Sequence, residues 1–596
     1  MTLARIGPRS DENGMPIDVK SRAVHHLTTA LIVLLIAAPI ILNLVFICKY
    51  GVNCVYADQW EMVPLFDKLY SGNLPFADLI AQHNEHRPFM PRIVALSLGS
   101  LTKYNTVAEM YFSWFLLCLI CFIIFKLYVR SFGFSKISMA KFIPVVWLTF
   151  GLRQYEHMLR GDQISMFLEI MFFLLAIYLL SESKRLDWRF VLAVICGLAC
   201  TFSLASGLLV WPICLIQILC CSRIPGRKLW GLDIGKVILW TIVGIAVYVW
   251  YFTGFAKPLQ TPNMLYPLQQ PYVASMFGLV ALGNAVSSNM SSATLVGTLL
   301  LLLYIFMVGV AIFRPNILPV KFPFLSMIFF TLAAAATLVV TRSGWGVAAA
   351  FEPRYATLVT LGIIGLYILI ISMDIKNIIV KYIFAVLLLT PVIAGIGPMA
   401  APAYWEMGEN VRATRQMMAY YVTTCNYQPD ENLVQIYPSP DVVRARSEIL
   451  AKYKLNVFSN AILSTAGLIP LNTVPYHKIE AVNDQARELP KLLFLEADKD
   501  DSLRLKGWAI DQNCRRAAGG VFLVVDGSLE VPALFGLDRP DVADIYGNGN
   551  YRYSGFEASV SASAIGPGRH VVGIKVISAD GRNYYLPVEI LRLNIK

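Results

Sequence analysis

The sequence predicts a polytopic α-helical membrane protein of about eleven transmembrane helices, followed by an all-β domain outside the cytoplasm. Three observations lead to this fold class. Of the 596 residues, 57% are hydrophobic and 15% are charged, whereas soluble domains carry about 25% charged residues. Apolar runs of roughly 20 residues, long enough to cross a bilayer, recur up to residue 398. From about residue 492, hydrophobic residues alternate with the period of a β-strand.

The apolar runs divide into strong and weak candidates for transmembrane helices. The strong ones are 24–48, 107–128, 164–181, 235–253, 293–313, 323–341, 356–373 and 382–398. The weak ones are 139–152, 190–204 and 206–221, and the last two are expected to form a tight helical hairpin. Residues 276–290 are rich in Asn and Ser, which favours a re-entrant or interfacial segment over a span. The first run is too long for a cleaved signal peptide.

Basic residues give the predicted orientation. Four of them precede the first run, so residues 1–23 are expected in the cytoplasm. Much of the net charge of +11 then lies in predicted cytoplasmic loops, which argues against a nucleic-acid binder. The composition also excludes a disordered chain or an ordinary cytosolic enzyme. The segments expected on the outer side of the membrane are 49–106, 153–163, 254–292, 342–355 and the tail, 399–596.

The tail is predicted to contain two parts. Residues 399–491 carry helical spacing, as in "ENVRATRQMMAYYV", and form a helical connector. Residues 492–596 alternate with period two around Asp526-Gly527 and Asp580-Gly581, which predicts a small β-sandwich with hairpin turns. The cysteine spacing leaves open two disulfides outside the membrane, Cys48 with Cys54 and Cys425 with Cys514.

The first outer loop holds the densest group of polar residues. Asp58 and Glu61 have the i, i+3 spacing that places two carboxylates on one face of a short helix. Further along is "HNEHR", which is His83, Asn84, Glu85, His86 and Arg87. A solvated loop with ordinary surface pairs is the plain alternative. A zinc site is another, although the order H-x-E-H is not the helical H-E-x-x-H motif.

Two shorter outer loops carry similar residues. The second loop, "RQYEHMLRGDQ", supplies Arg153, Tyr155, Glu156, Arg160, Asp162 and Gln163. The "RSGWGVAAAFEPRYATL" segment supplies Arg342, Trp345, Glu352, Arg354 and Tyr355. Helix capping is the alternative role for Asp162, and interfacial anchoring is the alternative for the arginines. Lys257 is a further candidate for binding phosphate.

These residue types suit a substrate with an anionic head group and a lipid tail. One acid could act as general base on an acceptor hydroxyl. Arginines bind phosphate with two parallel hydrogen bonds and would stabilise it as it leaves. Trp60 and Trp345 could stack on sugar faces. The expected partners are therefore a lipid substrate with an anionic head group, an acceptor that carries a hydroxyl group, and the membrane lipid.

The chain resembles bacterial membrane glycosyltransferases of the GT-C type, glucosyltransferase-like, that use polyprenyl-phosphate sugars. The resemblance covers most of the length. It rests on "ADQWE…HNEHR", "RQYEHMLRGDQ", "SGLLVWP" and "EPRYATL", and, in the tail, on "GWAID", "FGLDRPDVADIYG", "SGFEASV" and "GPGRH". The tail is similar to a β-sandwich module attached to many such enzymes. The likeness leaves open whether this module binds carbohydrate.

The resemblance implies a GT-C-like catalytic domain over 24–398 in the bacterial inner membrane, with the tail in the periplasm. It implies transfer of a hexose to an envelope glycan, such as O-antigen or lipopolysaccharide, with inversion. By that likeness Asp58 is the general base and Glu61 the reserve. Arg354, then Arg342, then Lys257 would contact the donor phosphate, and the other loop residues would bind donor or acceptor. Some members need Mg²⁺ or Mn²⁺, and no cofactor is fixed by this sequence.

Three rival interpretations remain open. A transporter or flippase for lipid-linked sugars is the first, and Glu169 inside the apolar run 164–181 favours it. An O-antigen-ligase-like enzyme is the second, although its main outer loop comes late. A non-catalytic membrane anchor for a sugar-binding module is the third, and it leaves the first outer loop unexplained.

Overall fold

The chain is mostly helical and ends in β-strands. The computed structural model describes residues 17–183, 185–221, 233–258, 260–313, 318–373, 402–459, 464–486 and 493–596. The longer helices are Ile17–Tyr50, Phe89–Thr102, Thr106–Phe132, Lys136–Thr149, Ile164–Glu182, Trp188–Thr201, Val210–Cys221, Ile234–Phe252, Pro271–Gly283, Met290–Phe313, Leu318–Arg342, Ala356–Ile371, Pro402–Thr423 and Pro440–Lys452. Short helices connect them: Ala57–Met62, Val63–Tyr70, Phe76–Ile80, Tyr155–Met158, Gly161–Gln163, Ala205–Leu209, Tyr266–Gln269, Asn284–Val286, Ser343–Trp345, Val347–Phe351, Pro353–Tyr355 and Asp430–Val434.

Within the described ranges, seven helices are long and apolar enough to cross a membrane, which indicates a membrane protein. They are Arg22–Tyr50, Thr106–Phe132, Gly161–Glu182, Ile234–Phe252, Met290–Phe313, Lys321–Trp345 and Pro353–Ile371. The weak candidates form shorter helices, and a helix of 14 residues spans about 21 Å, less than the roughly 30 Å hydrocarbon core. The strong candidate 382–398 lies outside the described residues.

The predicted helical hairpin near residue 204 has a specific local structure. The helix Trp188–Thr201 ends four residues before the short helix Ala205–Leu209 begins. Trp211 Nε1 donates to Thr201 Oγ1 at 3.0 Å and closes the turn. Gly207 packs so tightly against the Cys200 backbone that a Cβ there would overlap it. The interrupting Ser, Thr and Gly therefore serve the close approach of the two helices.

The chain forms two compact units. The first comprises Met1–Gly51, Pro75–Ala95 and Val107–Glu409. The second comprises Val52–Leu74, Leu96–Thr106 and Asn410–Lys596. The outer loop 49–106, which the sequence assigned whole to the membrane domain, is therefore divided between the units.

Asn456 joins the loop ends to the tail inside the second unit. Its Nδ2 donates to Asn53 Oδ1 at 2.7 Å and to the Tyr104 carbonyl at 2.8 Å. Its Oδ1 accepts from the Val55 N–H at 3.2 Å. Asn456 is fully buried, so these bonds fix the loop against the tail.

The described strands of the tail form two β-sheets. The strands are β1 Ile469–Leu471, β2 Tyr476–Val482, β3 Gln485–Ala486, β4 Leu493–Ala497, β5 Ser502–Asp511, β6 Arg516–Ala517, β7 Gly520–Val525, β8 Leu529–Pro532, β9 Leu534–Leu537, β10 Gly555–Ser561, β11 Gly568–Ile577, β12 Asn583–Tyr585 and β13 Val588–Ile595. One sheet has the order β1-β12-β11-β13-β4, with β7 beside β11 and β8 beside β7. The other has the order β3-β2-β5-β10-β9, with β6 beside β5.

The two sheets share one apolar core, as in a β-sandwich. Leu505 and Phe556 from one sheet and Leu523, Val572 and Leu591 from the other belong to the same buried cluster. The predicted turn at Asp526-Gly527 links β7 to β8, and both residues have positive φ, 50° and 70°, as a type I′ turn requires.

The sheet region begins earlier than predicted. Strands β1, β2 and β3 lie within 399–491, which was expected to be a helical connector, and β2 pairs with the central strand β5. The segment "YHKIEAV" has the residue pattern of a strand, but it is short and is distant in the sequence from the other predicted strands. The helices of the connector are those of residues 402–452.

The cysteines singled out as possible disulfide partners are all free thiols. Cys54 and Cys425 are buried, whereas Cys48 and Cys514 are exposed. Burial raises the pKa of Cys54 to about 12, so its thiol stays protonated and unreactive.

The shared core makes a prediction about stability. Phe556 is 1% exposed at the centre of the sandwich, whereas Phe494 is 71% exposed on β4. We expect Phe556→Ala to destabilise the tail by about 3–5 kcal/mol, and Phe494→Ala to change it by less than about 0.5 kcal/mol. Hydrogen exchange of strands β5 and β10 in the full-length protein measures both. Equal exchange in the two variants would contradict the common core.

Candidate functional site

Three loops that are far apart in the sequence converge in the first unit. They are the turn at His83–Arg87, the second outer loop at 153–163 and the segment 342–355. An ion pair joins Glu85 to Arg342. Arg354 interacts electrostatically with Arg342 and with Glu156. The sequence predicted each loop separately, and the fold brings them together.

The "HNEHR" residues form a tight turn. The His83 and His86 backbones exchange two hydrogen bonds, of 2.8 and 2.9 Å, and Asn84 has a positive φ of 49°. His86 Nδ1 accepts the backbone N–H of Ala205 at 3.1 Å, so a neutral His86 carries its proton on Nε2. The Asn84 amide donates to His83 Nε2 at 3.2 Å.

Arg87 has a structural position in this turn. Its Nε and Nη2 donate to the carbonyls of Tyr251 and Thr253, at 2.9 and 2.8 Å. These carbonyls lie at the C-terminal end of the helix Ile234–Phe252, where a cation is favoured. Arg87 was predicted to bind substrate, but these contacts make it a cap that holds the turn to the helix.

Glu85 is the member of the turn that faces the arginines. Its carboxylate pairs with Arg342, and both side chains stay partly exposed, 24% and 17%. The Arg342 guanidinium also lies over the Trp345 ring, 4.5 Å from its centroid. Trp345 is exposed, so one face of its ring is occupied by Arg342 while the side chain remains accessible.

Arg160 organises the second loop. It donates to Asp162 through Nε at 3.1 Å and Nη2 at 2.6 Å, and to Glu156 through Nη1 at 2.9 Å. Gln163 Nε2 adds a bond of 2.9 Å to the same Asp162 carboxylate. The alternative role of Asp162 as a helix cap is not the one observed, because its carboxylate binds side chains and the following helix is preceded by Gln163 without a capping bond.

Arg354 carries an unsatisfied hydrogen-bond donor. Its Nη2 lies 3.1 Å from Glu352, and its guanidinium lies 5.4 Å from the centroid of the buried Tyr355 ring. Its Nε is buried and has no acceptor among the described residues. A buried N–H without an acceptor costs free energy, and an oxygen of a bound anion would satisfy it.

Arg153 is buried and positions the neighbouring backbone. Its Nη2 donates to Asn284 Oδ1 at 2.5 Å and to the Phe351 carbonyl at 2.8 Å. Asn284 in turn donates to the Glu352 carbonyl at 2.6 Å. Arg153 was predicted to bind substrate, but these contacts make it a clamp on the segment before Arg354. Asn284 belongs to the segment 276–290, which was expected to be re-entrant or interfacial.

Lys257 shows no sign of the predicted phosphate role. Its Nζ donates to the Pro262 carbonyl at 3.1 Å, and the side chain is exposed.

Tyr155 lies near the charged groups, with Glu156, Arg153 and Glu352 all acting on its hydroxyl. Burial is the main reason why the pKa of Tyr155 is raised.

His157 belongs to the second loop, "RQYEHMLRGDQ", but was not among the residues predicted to bind substrate. It is fully buried, and its Nδ1 lies 2.6 Å from Thr357 Oγ1. Because the Thr357 hydroxyl donates to Gln154 Oε1 at 3.0 Å, Nδ1 must carry the proton. Its Nε2 has no partner among the described residues. Burial, together with Arg160 and Arg354, lowers the pKa of His157 to about 3.

Asp58, Trp60 and Glu61 belong to the second unit. The helix Ala57–Met62 is 3₁₀, so Asp58 and Glu61 share a face, as their spacing predicted. Trp60 is fully buried and cannot stack on a sugar, which corrects its predicted role. Asp58, two positions earlier on this helix, is exposed.

Glu61 is held by an ion pair rather than exposed as a base. It accepts from Tyr437 Oη and Arg446 Nη1, each at 2.7 Å. Arg446 also donates to the Trp60 carbonyl at 2.8 Å. Glu61 therefore has a structural partner in the tail, which argues against its predicted role as reserve base. The role of Asp58 as general base stays a prediction.

Among the described residues, no group of three or more His, Cys, Asp or Glu side chains lies close enough to hold a metal ion. His83, Glu85 and His86 make other contacts, so the zinc alternative has no geometric support. Glu156 and Asp162 are both paired with Arg160.

Comparison with protein-family models, with curated proteins and with solved structures finds no match to this chain.

The neutral state of His157 makes a prediction about pH. Its pKa is about 3 in the folded protein and 6.5 in an unfolded chain, so only the unfolded state binds a proton between these values. Stability therefore falls as the pH drops below 6.5, by about 2 kcal/mol at about pH 5. Thermal unfolding at about pH 7.5 and at about pH 5 measures this loss.

His157→Asn should reduce that loss of melting temperature, because asparagine does not titrate. His25→Asn, at an exposed histidine, should leave it unchanged. An equal loss in wild type and His157→Asn would contradict the burial of a neutral His157.

Proposed function

We propose that the chain is a membrane glycosyltransferase of GT-C type. It moves a hexose from a polyprenyl-phosphate donor to an envelope glycan, such as O-antigen or lipopolysaccharide, on the outer face of the bacterial inner membrane. About eleven spans, a cytoplasmic N-terminus and a periplasmic tail complete this proposal. Bound Mg²⁺ or Mn²⁺ is not required by it.

The observation that carries the proposal is the arginine pair of the first unit. Arg342 lies near the end of the apolar helix Lys321–Trp345, and Arg354 lies near the start of the apolar helix Pro353–Ile371. The two positive charges are close enough to repel each other. Glu85 and Glu352 each neutralise one of them, but in the described part of the chain the buried Nε of Arg354 still lacks an acceptor. A phosphate monoester or diester at the membrane surface supplies such acceptors and offsets the repulsion.

The accessible side chains around the pair suit a sugar. Trp345 presents an aromatic surface beside Arg342, and Glu156 and Glu352 are carboxylates that bind hydroxyl groups. Arg153 and Asn284 hold the segment 350–352 in place. The donor would therefore be bound through its phosphate and its hexose by preorganised groups.

The chemistry is a single displacement with inversion. The acceptor hydroxyl oxygen attacks the anomeric carbon while the bond from that carbon to the phosphate oxygen breaks. The polyprenyl phosphate leaves with the electron pair of that bond, and arginine stabilises its charge. The resemblance in sequence is the basis for proposing Asp58 as the general base for the hydroxyl proton. Glu61 is paired with Arg446 and is not proposed as the base.

Transport of a lipid-linked sugar is the second candidate, because of Glu169. This residue is fully buried in the helix Ile164–Glu182. Ser206 approaches its carboxylate, yet neither carboxylate oxygen has a hydrogen bond of acceptable geometry in the described part of the chain. Ionisable groups inside membrane segments often mark transport pathways.

A transfer assay with the full-length protein in membranes tests the enzyme proposal. The donor is radiolabelled undecaprenyl-phosphate hexose, and the acceptor is the cell-envelope glycan fraction. We expect Asp58→Asn to lower the rate by about 10²–10⁴-fold, because the amide cannot accept the hydroxyl proton. Asp500→Asn, at an exposed aspartate of the tail, should leave the rate unchanged.

Glu61→Gln separates structural from catalytic loss. It should reduce stability by about 1 kcal/mol, because Arg446 loses its charged partner, with a smaller effect on the rate than Asp58→Asn. Full activity in Asp58→Asn would remove this base. No transfer by the wild type from any polyprenyl-phosphate hexose, together with uptake of the donor into vesicles, would establish transport instead.

A further inference from the structure

An outer segment without charged residues lies close to the arginine pair. Positions 258–313, 56 residues in all, contain no Asp, Glu, Lys or Arg. The helix Met290–Phe313 accounts for part of this run. The earlier part exposes large apolar side chains, which we call the apolar ridge: Met264, Leu265, Leu268 and Tyr272. Leu268 is 80% exposed and Leu265 is 58% exposed, and such a surface marks a contact with an apolar partner.

The ridge is fixed beside Arg342. The helix Tyr266–Gln269 packs on the turn Ser343–Trp345, and Pro262 and Tyr266 lie against Gly344. This glycine is between the predicted phosphate ligand Arg342 and the exposed Trp345. The ridge therefore lies close to the position of a phosphate bound to Arg342, where the attached lipid chain would begin.

Hydrogen bonds tie the segment to the same site. Gln260 Nε2 donates to Asn84 Oδ1 at 2.8 Å, and Gln82 exchanges bonds of 2.6 and 3.0 Å with the Ala256 backbone. Lys257 Nζ donates a hydrogen bond to the Pro262 carbonyl. The hydrogen bonds of Gln82, Asn84 and Lys257 therefore have a common effect. They hold the ridge next to Glu85 and Arg342.

We infer that the apolar ridge binds the isoprenoid chain of the lipid-linked donor while its phosphate contacts Arg342. The inference rests on the proposed function. The occupant is an uncharged branched hydrocarbon, which matches Leu, Met and Tyr side chains and meets no buried charge. The neutral polar residues Asn263, Gln269 and Gln270 flank the ridge and suit the boundary between head groups and hydrocarbon.

Photo-crosslinking tests the position of the chain. p-Benzoylphenylalanine replaces Leu268, or Leu295 as a control, since Leu295 is similarly exposed, 74%, on the helix Met290–Phe313. Radiolabelled undecaprenyl phosphate is added to the full-length protein in nanodiscs. We expect stronger labelling at position 268, and Arg342→Ala should reduce it to the level at position 295. Equal labelling at both positions, or labelling independent of Arg342, means that the ridge contacts only the bilayer and overturns the inference.

Equilibrium binding distinguishes this inference from the proposed function. The double variant Leu265→Ser, Leu268→Ser should weaken binding of undecaprenyl phosphate about tenfold. Leu295→Ser is the matched control and should bind as wild type does. If Arg342→Ala weakens binding and the double variant does not, the ridge inference fails while the proposed function stands. If the wild type does not bind undecaprenyl phosphate, both fail.

Discussion

The site in the first unit depends on the pairing of charges at the ends of apolar helices. An unpaired charge there would be expensive, and the structure gives Arg160 two carboxylates, Arg342 one and Arg354 one. Each pair links residues that hold a loop in place. The pairs leave the buried Nε of Arg354 without an acceptor among the described residues, and an oxygen of a bound anion would satisfy it.

The rest of the site is support for these pairs. Arg153, Asn284 and Arg87 use their donors on backbone carbonyls, so they fix loop conformations rather than face a substrate. His157 stays neutral in the same region because burial and two neighbouring arginines disfavour its charged form. A cationic histidine would add to the repulsion between the arginines.

Local patterns in the sequence predicted the elements well. The Asp526-Gly527 turn and the shared face of Asp58 and Glu61 depend only on residues within a few positions of each other, so the local sequence predicts them. Apolar runs predicted a membrane protein, although four of the predicted spans are helices too short to count or lie outside the described residues.

Long-range partners could not be predicted. Arg446 lies 385 positions after Glu61, and no spacing rule connects them. The burial of Trp60 depends on packing within the second unit, which residue type alone does not reveal. Arg153 and Arg342 look alike in the sequence, yet one is enclosed by carbonyls and the other is partly open. Only tertiary structure separates an arginine that supports a site from one that can bind a ligand.

Binding of the phosphate by Arg354 is the central claim, and phosphorus NMR of undecaprenyl phosphate in nanodiscs tests it most directly. With the full-length protein present, we predict a change in the phosphate resonance that persists in Arg569→Ala, at an exposed arginine of the sandwich, and disappears in Arg354→Ala. An unchanged resonance with the wild type, or an equal change with Arg354→Ala, would contradict the account.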